Sequence, residues 1–217
     1  MAASNTSDGQ VQPAGFDYAE IIVVRHGERK TEKDADGKIL EHLNLGLTDK
    51  GISDSEAVAE RLSREPKISA VYSSDLKRAV ETAEIVAASC GGLEVIQDSG
   101  LREKRYGVLP GIVALEAATH PEGSEESIKE INQRCASCLQ RIGDNHRGER
   151  IVVVTHGGVM RAFYKRVNPP HERTPRVWSS SVSVLHLSDG DEWKIIVWGN
   201  ASHLESGTGG VDTSGTH

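Results

Sequence analysis

Ile21-Ile22-Val23-Val24-Arg25-His26-Gly27-Glu28 is the stretch that decides the fold. Four β-branched residues in succession read as a short strand buried on both faces. A cation, an imidazole and a glycine then end it. The same grammar returns at Ile151-Val152-Val153-Val154-Thr155-His156-Gly157-Gly158. If the two strands are parallel neighbours, both histidines stand at one sheet edge. In open α/β sheets the carboxyl edge is where ligands bind. A single strand ending in His-Gly carries little weight, but its recurrence after a second aliphatic run carries much more.

Outward from these strands the chain alternates helical and extended patterns. Arg29–Leu47 is polar, with Asp36-Gly37 as a turn signal, and reads as a loop at the first strand's carboxyl end. Thr48 is placed to cap a helix running to about Glu65, with Ile52, Ala59 and Leu62 on one face, and Pro66 ends it. Ile68–Tyr72 is the next strand. Asp75–Cys90 is a helix, because Leu76, Ala79, Val80, Ala83, Val86, Ala87 and Cys90 recur at steps of three and four. Gly91-Gly92 terminates it, and Arg78 falls in its first turn. Leu93–Ile96 is a short strand and Leu101–Gly111 another edge loop. A second helix is expected from about Glu125 to Ile142, capped by Ser124, with Ile128, Ile131, Cys135, Cys138, Leu139 and Ile142 on one stripe. A helix from Gly158 to about Val167 follows the second His-Gly strand. Val182–Leu187 and Trp193–Trp198 flank a polar turn and read as an antiparallel hairpin.

The 217 residues are enough for one α/β domain with a real core. Residues 1–16 and 205–217 read as disordered tails around a domain at 17–204. The formal net charge of -7 argues against nonspecific nucleic-acid binding, so an anion pocket must be local. No apolar run approaches the ~20 residues needed to span a bilayer, and the first fifteen or so residues lack a signal-peptide apolar region. With only three cysteines, a disulfide framework is not expected and the cytoplasm is the default compartment.

His26 is the candidate nucleophile, since a neutral imidazole attacks phosphorus and holds it as a phosphohistidine. Arg25 can clamp phosphate oxygens bidentately, and Arg78 adds a second guanidinium. Gly27 leaves room for backbone to approach the phosphate. His156, with Gly157 and a helix start behind it, offers a further donor beside backbone N–H groups. Phosphoryl transfer spreads charge over several oxygens, so convergent donors are what it needs. Glu103 is the candidate acid, because a carboxyl beside anionic phosphate holds its proton more readily.

Each reading has a plainer rival. A histidine at a strand end is commonly structural, and Glu103 among Arg102, Lys104 and Arg105 also reads as a solvated charge run. Cys135-x-x-Cys138 suggests redox or metal chemistry, but both cysteines lie on the apolar stripe and read as core. His26, His42 and His156 are conceivable metal ligands, yet no carboxylate or cysteine stands at a zinc spacing. No cofactor and no metal are expected.

Arg25-His26-Gly27-Glu28, Ser73-Ser74-Asp75-Leu76-x-Arg78-Ala79-x-x-Thr82-Ala83, Leu101-Arg102-Glu103 and Thr155-His156-Gly157-Gly158 together resemble the histidine phosphatase superfamily, in its phosphoglycerate-mutase-like branch. The resemblance covers about Tyr18 to Leu204. It implies a three-layer α/β/α sandwich with a mostly parallel central sheet and a metal-independent mechanism. It also implies that His26 is phosphorylated, that Arg25, Arg78 and His156 form the phosphate pocket, and that Glu103 donates the proton.

The departures are specific. Arg29 and Glu32 stand where the family usually has Thr and Asn, and Glu41 where it usually has Gly. Glu32 would repel phosphate unless it turns away. Arg29 is similar to a phosphate-binding arginine of the acid-phosphatase branch. The stretch Glu103-x-x-Tyr106-Gly107-x-Leu109-x-Gly111 resembles true mutases. However, Ile112–Ala118 lacks the basic residues that hold a sugar acid's carboxylate there. The lid region, Gly111 to Ser124, is also short, which favours hydrolysis over transfer. The expectation is a phosphatase acting on a small phosphorylated metabolite. Phosphoglycerate mutase and a degenerate phosphate-binding or scaffold protein are the alternatives.

Overall fold

The computed structural model describes residues 17–37, 44–103, 127–168 and 173–204. The two expected tails, Glu41, His42 and residues 104–126 lie outside the described residues.

Six strands form one sheet in the order β3-β2-β4-β1-β5-β6. They are β1 (Tyr18–Arg25), β2 (Ala70–Ser73), β3 (Val95–Gln97), β4 (Arg150–Thr155), β5 (Val182–Ser188) and β6 (Glu192–Asn200). The first four in the order run parallel, and β5 and β6 complete the sheet antiparallel. This is the mostly parallel α/β sheet expected. β1 and β4 are adjacent and parallel, with Val24 opposite Val154 and Arg25 opposite Thr155.

Alternation along β1 explains why it reads as an unbroken apolar run. Ile21 and Val23 pack with Leu139, Ile142, Met160 and Phe163 on one side of the sheet. Ile22 and Val24 pack with Val58, Leu62, Ala83 and Val86 on the other. Each fully buried aliphatic side chain contributes about 1.5–3 kcal/mol, so the two histidine-bearing strands are the best-anchored part of the sheet. At the edge, β3 has Ile96 43% exposed and lacks this anchoring.

One helical layer is α1 (Asp49–Ser63) with α2 (Lys77–Ser89); the other is α3 (Ile128–Asn145) with α4 (Gly157–Val167). Thr48 caps α1 as expected, its hydroxyl accepting the Gly51 N–H at 3.0 Å. The buried positions of α1 are Gly51, Ser55, Val58, Ala59 and Leu62. Ile52, expected on that face, is 40% exposed. The first turn of α1 packs on backbone at Gly27 and Glu28, where only small residues fit. Gly91 and Gly92, at φ +98° and +72°, end α2 in the left-handed conformation that glycine adopts without strain.

The expected start of α3 at Glu125, capped by Ser124, is displaced. Ser127 is the cap, and it forms a reciprocal capping box with Glu130. Ser124 itself lies outside the described residues. The stripe of Ile131, Cys135, Cys138, Leu139 and Ile142 is buried as expected, and all three cysteines are free. Among the described residues, no helix is long and apolar enough to cross a membrane.

Candidate active site

The β1–β4 register brings the two histidines together. The His26 N–H donates to the Thr155 carbonyl at 3.0 Å, and the two imidazole centroids are 5.0 Å apart. Arg78, in the first turn of α2, completes the group. Its Nε donates to His26 Nε2 at 3.3 Å and its Nη2 to Glu103 Oε2 at 3.1 Å. Glu103 Oε2 also stands 3.8 Å from His156 Nδ1, while Oε1 accepts the Gly158 N–H at 3.4 Å. Arg25, His26, Arg29, Arg78 and His156 are all buried. Glu103 therefore faces the two histidines and is not part of a solvated charge run. Glu32 is exposed, whereas Glu41 and His42 lie outside the described residues.

Backbone partners orient the nucleophile candidate. His26 Nδ1 lies 2.6 Å from the Gly27 carbonyl, which only accepts, so Nδ1 carries the proton and Nε2 keeps its lone pair. The Gly27 N–H in turn donates to Thr82 Oγ1 at 3.0 Å, and Thr82 donates to the Arg78 carbonyl at 2.9 Å. Gly27 is small for a different reason from the one expected. A Cβ there would meet the Gly51 carbonyl at 2.5 Å and Ser55 Oγ at 2.7 Å, so the glycine admits the start of α1. Gly157 and Gly158 do border the pocket. Their Cβ positions would stand 3.4 Å from Arg25 Nε and 3.4 Å from Glu103 Oε1. Arg25 is held from its far side, where Nη1 donates to the Val177 carbonyl at 2.7 Å.

Burial, then His156 and the guanidiniums of Arg78 and Arg25, hold His26 well below the ordinary histidine range, against the opposing pull of Glu103. Burial and Arg78, Arg25, Arg134 and Arg29 do the same to His156. Both imidazoles are neutral near pH 7. Glu103 departs from expectation. Burial favours its protonated form, but Arg78, His26, Arg25 and the Gly158 N–H outweigh burial and lower its pKa. With these neighbours it is a carboxylate.

His26, Glu103 and His156 also place ligand atoms within 4.8 Å of one another, a spacing able to hold a metal ion. Arg78 bridges two of the three and adds a positive charge, so a cation would have to displace it. The donor set fits an anion better.

The sequence reading missed what holds Glu103. Arg134, on α3, donates through Nη1 to the carbonyls of Gly100 (2.8 Å) and Arg102 (2.9 Å), and through Nη2 to that of Glu103 (3.2 Å). Thr155 Oγ1 takes the Leu101 carbonyl at 2.8 Å. Arg102 itself forks onto Asp75 at 2.6 and 2.5 Å. Four successive carbonyls are thus held, which fixes the short segment that ends in Glu103. An arginine contacting backbone so far away in sequence leaves no local pattern to read.

Residues 21–201 match the histidine phosphatase superfamily (branch 1), and the chain belongs to that family. It is an enzyme of the phosphatase and phosphoglycerate-mutase-like kind. It is 51% identical over 221 aligned positions to phosphoglycerate mutase-like protein 4 of Arabidopsis thaliana, covering 92% of this chain and 95% of that protein. It is 38% identical over 206 positions to a metal-independent phosphoserine phosphatase of the same plant, covering 88% of this chain and 85% of the relative. Among solved structures, Bacillus stearothermophilus YhfR superposes with a TM-score of 0.67 at 26% identity, covering 86% of this chain and all (100%) of that one.

Proposed function

We propose that this protein is a metal-independent phosphatase that hydrolyses small phosphomonoesters through a phosphohistidine at His26. The observation that carries the proposal is the state of His26: buried, neutral, its Nδ1 proton committed to the Gly27 carbonyl and its Nε2 lone pair beside Arg78. Arg25, Arg29, Arg78, His156 and the Gly157 backbone supply the donors for the transferred group.

A phosphate monoester monoanion brings the proton that the site lacks, since the second ionisation of phosphate lies near pH ~6. On binding, Arg78 and Arg25 turn their charge to the phosphoryl oxygens and release Glu103, which takes that proton. His26 Nε2 then attacks phosphorus. The P–N bond forms, the P–O bond to the leaving group breaks, and Glu103 delivers its proton to the departing oxygen. In the second half-reaction Glu103, again a carboxylate, takes a proton from water as the water attacks phosphorus. The P–N bond breaks, His26 is regenerated, and Glu103 passes the proton to the inorganic phosphate as it leaves, which restores the carboxylate.

The name of the relative at 38% identity supports both hydrolysis and metal independence, and suggests phosphorylated amino or carboxylic acids as first substrates. A mutase reading has one argument of its own, the mutase-like name of the relative at 51% identity. The exposure of Glu32 takes away one of the two carboxylates on which the reading as a degenerate binding protein rests. We take residues 17–204 as the catalytic unit. Three free cysteines support the cytoplasm as its place of work.

Purified protein assayed on a phosphomonoester panel containing phosphoserine and phosphoglycerates, with and without EDTA, tests this reading. Phosphate release that is unchanged by EDTA is expected. Loss restored by a divalent ion, or phosphoglycerate interconversion faster than release, would contradict it.

A further inference from the structure

Ser74 touches no reacting atom, yet it decides what His156 offers to the site. β2 pairs with β4 so that Ser73 stands opposite Val154, and the Ser74 N–H donates to the Val154 carbonyl at 3.0 Å. This register sets Ser74 Oγ 2.8 Å from His156 Nε2, with both residues fully buried. The same oxygen receives the Leu76 N–H at 3.2 Å.

A neutral imidazole carries its proton on either nitrogen, and the partner of one nitrogen selects which. The Ser74 hydroxyl has one hydrogen. Its oxygen has two acceptor positions, one of which the Leu76 N–H fills, and among the described residues His156 Nε2 is placed to receive the hydroxyl hydrogen. A hydroxyl that donates to Nε2 places the proton of His156 on Nδ1, whereas the reverse direction would leave the hydroxyl hydrogen unused and turn a lone pair toward the Glu103 carboxylate. Among the described residues that nitrogen has no hydrogen-bond partner, and it lies on the side of Glu103, at 3.8 Å from Oε2. A buried donor without an acceptor is costly, and a phosphoryl oxygen is the acceptor that would satisfy it.

We propose that Ser74 is a positioning residue that locks His156 as the Nδ1–H tautomer, so that it donates a hydrogen bond to the transferred phosphoryl group. His26 and His156 are then the same tautomer presented by opposite ends. His26 shows the site a lone pair and His156 shows it an N–H. In the other tautomer, His156 would aim a lone pair at the phosphoryl oxygens and at the Glu103 carboxylate. This inference rests on the phosphatase reading.

Long-range proton–nitrogen NMR on isotope-labelled full-length protein tests it, recorded at about pH 8, well above the ordinary histidine pKa of about 6.5. His156 is assigned by the signals lost in His156→Asn. The expected wild-type pattern is a protonated Nδ1 and a lone-pair Nε2. Ser74→Ala should shift His156 toward Nε2–H and lower kcat on p-nitrophenyl phosphate by roughly 10²-fold, the scale of one lost oxyanion donor. Ser74→Thr, which keeps the hydroxyl, should restore both. A wild-type His156 protonated on Nε2 overturns the proposal, as does a Ser74→Ala protein that keeps the wild-type tautomer and turnover. The wild-type spectrum decides even if a variant fails to fold. It also needs no substrate, so a wrong tautomer sinks this inference alone, while failure to hydrolyse any phosphomonoester sinks the functional reading alone.

Discussion

Nε of Arg78 donates to Nε2 of His26 across 3.3 Å, so the lone pair that would attack phosphorus is capped by a cation. The same guanidinium binds Glu103. With burial and its other charged neighbours, Arg78 holds His26 unprotonated and Glu103 ionised. An incoming phosphate monoester monoanion must take over this guanidinium, and in doing so it uncovers the nucleophile and frees the acid together. One residue thereby couples substrate binding to the readiness of both groups.

Glu103→Gln keeps the shape of the side chain but removes the transferable proton. General acid catalysis is typically worth about 10²–10⁴-fold. A loss of that order is expected on phosphoserine, whose alkoxide leaving group needs a proton, and a much smaller loss on p-nitrophenyl phosphate. Parallel kcat/KM measurements check this, and equal losses on both substrates would mean that Glu103 serves binding or structure.

Arg134→Ala removes the donors that hold the carbonyls of Gly100, Arg102 and Glu103. Leaving such groups unsatisfied costs about 1–3 kcal/mol each where they stay dry, so thermal unfolding should shift down. The functional expectation is more specific. Arg134→Ala should reproduce the leaving-group selectivity of Glu103→Gln, and Arg134→Lys should repair it incompletely, because an ammonium cannot reproduce the planar fork. A variant that is less stable but keeps wild-type leaving-group behaviour would make Arg134 a structural residue only.

Stability should fall on mild acidification. His26 and His156 have folded-state pKa values below the unfolded value of about 6.5. Above that pH neither state is protonated and the histidines contribute nothing. Below it the unfolded chain binds protons that the folded chain refuses, so unfolding free energy declines by up to about 1.4 kcal/mol per pH unit per histidine. Glu103 adds to the trend at lower pH. Its folded pKa is depressed, so its contribution is present above its unfolded pKa and lost as pH falls through the folded one. Urea unfolding between roughly pH 7.5 and 5.5 measures the slope, which His156→Asn should reduce. A flat profile would contradict the neutral-histidine site.

The strands were legible because burial on both faces turns them into unbroken β-branched runs, and two such runs ending in His-Gly announced their adjacency. Arg25, His26, Arg78 and His156 were legible for the same reason, as they sit at strand ends or in a first helical turn. Boundaries set by capping were harder to read. Ser124 and Ser127 both precede apolar-periodic sequence, and the carboxylate of Glu130 decides between them. The packing of α1 on Gly27 and the exposure of Ile52 leave no local pattern, because the close approach of α1 to the His26 loop is a tertiary contact. Arg134 was invisible for a similar reason. The lowered proton affinity of Glu103 is set by Arg78 and Arg25, which come from other elements of the fold and are not neighbours of Glu103 in sequence.

The central claim is that His26 carries the phosphoryl group. Rapid quenching of the enzyme with a radiolabelled phosphomonoester tests it most directly. The account predicts labelled protein that is stable to alkali and labile to acid, as a phosphoramidate is, with the label mapped to His26. Label and turnover should both vanish in His26→Ala, where the residual rate falls to the very slow uncatalysed background. Turnover that persists in His26→Ala, or label recovered on another residue, would contradict the account.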